Sequence, residues 1–151
     1  MKTKIFTGLA MVCLFLTVKA NTNNAKRVLA NSTSAATLSA LTKNVEYGFD
    51  RANVQDDYYA NLDQLAKVML KEDYAVSLKG YADEIGAYKY NWVLSDKRAN
   101  SVKDYLVSKG VQQSRIITTP FGSTEPIASN QTEEGRQKNR RVEISLKKIN
   151  E

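Results

Sequence analysis

The sequence predicts an α+β two-layer sandwich with the element order β-α-β-α-β-(α)-β. Three observations carry that prediction. Short strand-like runs recur near residues 45, 76, 115 and 142. Two stretches of helical period separate the first three runs. The last two are joined by a polar connection with room for one short helical turn. Two helices on one face of a four-stranded sheet would bury both apolar sets. The order of the strands stays open.

Taken in order, Val45, Tyr47 and Phe49 alternate with Glu46 and Gly48 and read as a strand that runs into Asp50-Arg51-Ala52-Asn53. Tyr58/Tyr59, Leu62, Leu65/Ala66 and Met69/Leu70 then repeat at helical spacing. Asp56 and Asp57 favour the positive end of that helix's dipole. Val76 and Leu78 alternate with Ser77 and Lys79 in a strand that stops at Gly80. A Gly-containing loop with several aromatics follows. A helix over 88–109 carries Leu94, Ala99, Val102 and Leu106 on one side, and Gly110 suits its end. Residues 115–119 form a short strand. Residues 120–139 are a polar connection with a helical turn around 132–138. Val142, Ile144 and Leu146 alternate with polar residues in the last strand.

The N-terminus carries the layout of a secretory signal peptide over residues 1–20. Lys2 and Lys4 precede an uncharged run over 5–18, and Val18 and Ala20 stand at the −3 and −1 positions of a cut after Ala20. As a helix that run spans about 21 Å, short of a hydrocarbon core of about 30 Å, which argues against a retained anchor. Cys13 lies inside the run behind Ala10-Met11-Val12, which is not a lipoprotein processing sequence. Residues 21–40 read as a flexible polar leader with room for a short helix at 35–40, and 41–151 as the domain.

Composition excludes several chemistries. The 151 residues include no histidine and one cysteine. That removes Ser-His-Asp and Cys-His catalysis, imidazole ligands, an intrachain disulfide and a cysteine-cluster metal site. The formal charge of +6 falls to +3 once Lys2, Lys4 and Lys19 leave with residues 1–20. The basic run Arg136, Lys138, Arg140 and Arg141 therefore does not point to nucleic acid. Adjacent Asp83 and Glu84 are poor as a facing acid and base, and Asp50 would have to be recruited to set two carboxylates about 5–9 Å apart. The expectation is a binder, not an enzyme, with no metal and no cofactor.

Asp83-Glu84 falls just past a strand end, where binding residues concentrate. Asn91 and Arg98 follow on the next helix, and Arg140 and Arg141 lead into the last strand. A carboxylate, an amide and guanidiniums suit a zwitterion: the carboxylate takes an ammonium and the guanidinium forks onto a carboxylate. The same residues also describe internal salt bridges and a helix-capping Asn, which spacing alone favours. Tyr81, Tyr88, Tyr90 and Trp92 would serve as a platform for sugar rings or pack half-buried against the sheet edge, and their area favours packing.

The stretch 78–106, LKGYADEIGAYKYNWVLSDKRANSVKDYL, resembles the signature of the OmpA-like C-terminal domain. Gly80, Ala82-Asp83, Gly86, Asn91, Leu94-Ser95 and Arg98-Ala99 match its pattern. So do Gly110-Val111, Arg115, Gly122, Pro126, Asn130, Thr132, Gly135-Arg136 and Asn139-Arg140-Arg141-Val142-Glu143, and Phe49-Asp50 resembles the start of the domain. The match covers about residues 41–148. The resemblance implies non-covalent binding of peptidoglycan through the diaminopimelate of its stem peptide, in the periplasm of a Gram-negative envelope, associated with the cell wall or outer membrane. It assigns the ligand clamp to Asp83 and Arg98, further groove positions to Asn91 and Arg140, and Asp50 to the place where the first strand enters the groove. On this reading the clamp is exposed, and truncating it changes folding stability little. Tyr81 stands where many members have His, and Ile85 where a small polar residue is common. The alternative is the same fold used mainly to dock other envelope proteins, which would show as a contiguous apolar patch.

Overall fold

The computed structural model describes residues 36–149. The expected signal peptide and the leader up to residue 35 lie outside the described residues. Residues 36–41 are helical, and Leu41 at the end of that turn is buried in the core.

From there the elements are β1 (Val45–Glu46), α1 (Asp56–Lys71), β2 (Tyr74–Gly80), α2 (Tyr88–Ser108), a 3₁₀ turn (Gln113–Arg115), β3 (Ile116–Pro120), α3 (Glu133–Asn139) and β4 (Arg141–Lys148). The sheet order is β1-β4-β2-β3. β2 pairs parallel with β3 and antiparallel with β4, and β1 pairs antiparallel with β4. Leu78 faces Ile144 and Gly80 faces Val142 across β2–β4, so alternate residues of both strands point to the same core.

α1 forms because Leu62, Leu65, Ala66 and Met69 recur on one face, Asp56 and Asp57 occupy its first turn and Lys71 its last. Leu62, Leu65 and Met69 are fully buried. Each contributes roughly 1.5–3 kcal/mol of transfer free energy. α2 ends in a Schellman arrangement: Gly110 N–H donates to Val107 O (2.9 Å) and Val111 N–H to Leu106 O (3.1 Å), with Gly110 at φ +95°. Val111 and Leu106 are both in the core.

β1 is shorter than the alternating run predicts. Tyr47 N–H still donates to Arg140 O (2.8 Å), but at Gly48 the chain turns, closed by Arg51 N–H to Gly48 O (3.2 Å). Phe49 leaves the sheet and is 58% exposed. The other elements match their expected positions to within a few residues.

Candidate functional site

The sheet order decides where the site lies. The end of β2 runs beside the start of β4, and the end of β1 reaches that start from the other side. The segments after β1 and β2 and the residue before β4 therefore meet at one place. A cavity of about 180 Å³ opens there beside α2, and Asp50, Asp83, Asn91, Arg98 and Arg140 all line it. All five sequence-derived candidates share this one wall.

The buried stripe of α2 is unusual in being polar over its first half. Asn91, Ser95 and Arg98 precede Ala99, Val102 and Leu106 on the buried face. A polar group in such a place needs partners, and each has them. Asn91 Nδ2 donates to Asp83 O (3.1 Å). Ser95 Oγ donates to Trp92 O (2.8 Å) and accepts from Gly122 N–H (2.9 Å). Arg98 donates from Nε to Arg51 O (2.8 Å), from Nη1 to Tyr81 O (2.9 Å) and from Nη2 to Gly48 O (3.2 Å). Arg98 thus staples the turn on both sides of Asp50, which at φ +52° is the one non-glycine residue in the left-handed region among the described residues. Burial pulls the Arg98 guanidinium down to about 10, which leaves it charged at neutral pH.

Asp83 does not pair with Arg98. Its Oδ2 accepts from Arg140 Nη1 (2.9 Å) and its Oδ1 from Ile85 N–H (3.0 Å). Arg140 also donates from Nε to Tyr47 O (3.1 Å) and from Nη2 to Glu133 Oε1 (2.7 Å) and to Gln137 Oε1. Burial opposes the Arg140 charge, but Asp83 and Glu133 outweigh it and hold the guanidinium above its ordinary value. Glu133, exposed in the first turn of α3, is held below the usual carboxylate range by Arg140 and then Arg136. The lining carries two carboxylates and two guanidiniums, so its formal charge is balanced.

Three expectations change. Asp83 and Arg98 are 4% and 0% exposed, so truncating either disturbs a buried network and not an exposed pair. Arg141 leaves the site. As the neighbour of Arg140 at the start of a strand it points to the other face, 3.8 Å over the Tyr81 ring and 2.6 Å from Glu143. Of the four aromatics only Tyr81 is buried. Tyr88, Tyr90 and Trp92 are 61%, 52% and 41% exposed: Tyr88 and Tyr90 precede Asn91, the first residue of the buried stripe of α2, and Trp92 next to it lies off that stripe.

Sequence reasoning did not bring Phe49, Ile85, Tyr90 and Leu94 together as a rim, although it singled out Ile85 as a departure from the family pattern and Tyr90 as part of an aromatic set. A signal for two of them exists. Tyr90, Leu94 and Arg98 stand four apart, which puts them on one flank of the helix. The Tyr90 hydroxyl donates to Asp50 Oδ1 across the mouth of the cavity.

A four-stranded mixed sheet with helices, holding a charge-balanced pocket where strand ends converge, defines the class of this protein as an α+β domain. Residues 46–140 match the sequence profile of the OmpA family, and the chain belongs to that family. Outer membrane protein A of Bordetella avium is 45% identical over 101 residues, which are 66% of this chain and 52% of that protein. The peptidoglycan-associated lipoprotein of Buchnera aphidicola is 36% identical over 129 residues, 82% of this chain and 75% of that protein. The crystal structure of the peptidoglycan-associated lipoprotein from Burkholderia pseudomallei superposes with a TM-score of 0.68 at 30% identity, covering 70% of this chain and 90% of that one. The chain spans about half the length of the first curated relative it matches and about a third of the next two. Among the described residues no helix is long and apolar enough to cross a membrane.

Proposed function

We propose that this chain binds peptidoglycan non-covalently in the periplasm, taking the zwitterionic end of the stem-peptide diaminopimelate into the pocket beside α2. The observation that carries the reading is the balanced set of Asp50, Asp83, Arg98 and Arg140 around one cavity of about 180 Å³. A group with one ammonium and one carboxylate matches that set and a polyanion does not. Similarity to relatives named peptidoglycan-associated lipoprotein supports it. In this reading Asp83, with Asp50 at the mouth, accepts from the ammonium, the Nη N–H groups that Arg98 does not spend on carbonyls donate to the carboxylate, and Asn91 and Arg140 hold the walls.

Sedimentation with purified sacculi tests the reading. The chain from Asn21 onward is expected in the pellet, and released by free Ala-γ-Glu-diaminopimelate. A chain that stays in the supernatant at micromolar concentration overturns it. N-terminal sequencing of envelope protein tests export: Asn21 is the expected first residue, and intact Met1 in the membrane fraction overturns it.

A second reading, docking to other envelope proteins, is favoured by exposed Tyr88, Trp92 and Val93 on the first turns of α2. It predicts crosslinks to protein from those positions, and none to wall fragments.

A further inference from the structure

The two carboxylates of the pocket are not equivalent. Asp83 is 4% exposed, and its oxygens are held by the Ile85 N–H and the Arg140 guanidinium. Asp50 is exposed, sits on a left-handed turn, and takes its side-chain hydrogen bond from the Tyr90 phenol. The turn is not free to drift, because Arg98 grips the carbonyls of Gly48 and Arg51 on either side of it. Asp50 and Tyr90 thus face each other from two different elements across the cavity mouth, and both line it. The ring is anchored on α2 while its hydroxyl reaches out to a side chain that solvent also reaches.

We propose that Tyr90 is a built-in competitor for Asp50: its hydroxyl holds Oδ1 of the carboxylate that assists Asp83 at the mouth, so a ligand's ammonium competes with the hydroxyl for that oxygen. The inference rests on the zwitterion reading above and adds the residue that sets its affinity. Both bonds are charge-assisted at the carboxylate, but an ammonium also brings a full positive charge to it, which a neutral hydroxyl does not. The exchange therefore favours a charged ligand and not a neutral one. A ligand whose amine is acetylated meets a closed pair and gains nothing by opening it. Tyr90 in this way selects for a free ammonium, beyond the charge balance of the floor. The paired Asp50 carboxylate also raises the Tyr90 phenol above its ordinary value, so the pair has a signature in the unliganded protein.

The test is Tyr90→Phe, which keeps the ring and removes the competing hydroxyl at an exposed position. Calorimetric titration with Ala-γ-Glu-diaminopimelate is expected to show about three- to tenfold tighter binding than the parent. The side-chain N-acetylated tripeptide is expected to show no gain, and Tyr90→Phe in an Asp50→Asn background none either. Unchanged or weaker binding by Tyr90→Phe overturns the proposal, because the hydroxyl then is neutral or helps. Ultraviolet titration of the unliganded protein supplies a readout without ligand: one phenol is expected to move down toward the ordinary tyrosine value in Asp50→Asn. A phenol that does not respond overturns the pair on its own. A parent protein that ignores the tripeptide while its phenol does respond overturns the zwitterion reading and leaves the Tyr90–Asp50 pair standing, so the two failures are told apart.

Discussion

Asp83 and Arg140 form a buried ion pair, 2.9 Å from Oδ2 to Nη1, at the floor of the pocket, although 57 residues separate them in the chain. Removing one partner of such a pair strands the other charge away from water. Asp83→Ala is therefore expected to cost about 3 kcal/mol, the low end for broken buried pairs, because Glu133, Gln137 and the Tyr47 carbonyl still hold Arg140. Urea denaturation in parent and Arg140→Ala backgrounds checks it. Equal cost in both would mean that the pair is not what Asp83 contributes.

Arg98 has a structural task besides the ligand contact proposed for it. Its three donors tie together Gly48, Arg51 and Tyr81. A lysine at this position has no planar fork to span three carbonyls. Arg98→Lys is expected to lose about 2–3 kcal/mol of stability, with faster amide exchange at residues 49–53 than elsewhere in the domain. Uniform exchange across the chain would argue against the staple.

Gly80 lets α2 approach the sheet. A Cβ there would stand 2.0 Å from the Ser95 carbonyl oxygen, a backbone atom that cannot swing aside. Gly80→Ala is expected to cost about 3 kcal/mol or more. Gly48→Ala, whose nearest neighbour would be the flexible Arg51 side chain at 3.4 Å, is expected to stay within about 1 kcal/mol of the parent. Thermal melts of the two variants side by side decide.

Tyr47 gives an alkaline limit. Burial, partly offset by its bond with Ser101, pushes its phenol from 10.0 up to about 12, and its hydroxyl donates to Arg98 O. A folded-state value above the unfolded one means stability that is fully present below pH 10 and lost as pH rises through about 12. Tyr47→Phe is expected to lose about 0.5–1.5 kcal/mol at neutral pH and to flatten the decline over that window. An equally steep decline in the variant would assign the alkaline limit to another group.

Binding of a compact zwitterion neutralises few charges. Affinity for Ala-γ-Glu-diaminopimelate is expected to fall gently with salt, less than tenfold between about 50 and 200 mM. A loss of about a thousandfold over that range is the behaviour of a polyanion and would contradict the proposed ligand.

Much of the fold was legible because its signals are local. Val76/Leu78 and Val142/Ile144/Leu146 alternate, and Leu62, Leu65, Ala66 and Met69 repeat at helical spacing, within windows that a strand or helix imposes on its own residues. Gly110 ended α2 as its conformational freedom predicts. The run Val45-Tyr47-Phe49 misled because the signal that truncates it is not local: Arg98, fifty residues on, draws the Gly48 carbonyl out of the sheet. Tyr90 was visible as an aromatic but not as a partner of Asp50, which is forty residues away.

By itself the sequence determined which residues stand at the end of β2, at the start of β4 and along the flank of α2, because those positions follow from periodicity. It also determined what chemistry was available, carboxylates and guanidiniums without histidine. Tertiary structure decided which charge meets which. With β4 between β1 and β2, the start of β4 lies against the end of β2, and Arg140 arrives beside Asp83 while Arg141 turns to the opposite face. Arg98, approaching from the helix layer, finds backbone carbonyls instead of a carboxylate. Strand order depends on pairing between segments far apart in the chain, where no local preference acts, so the partners of buried charges emerge only when the layers close.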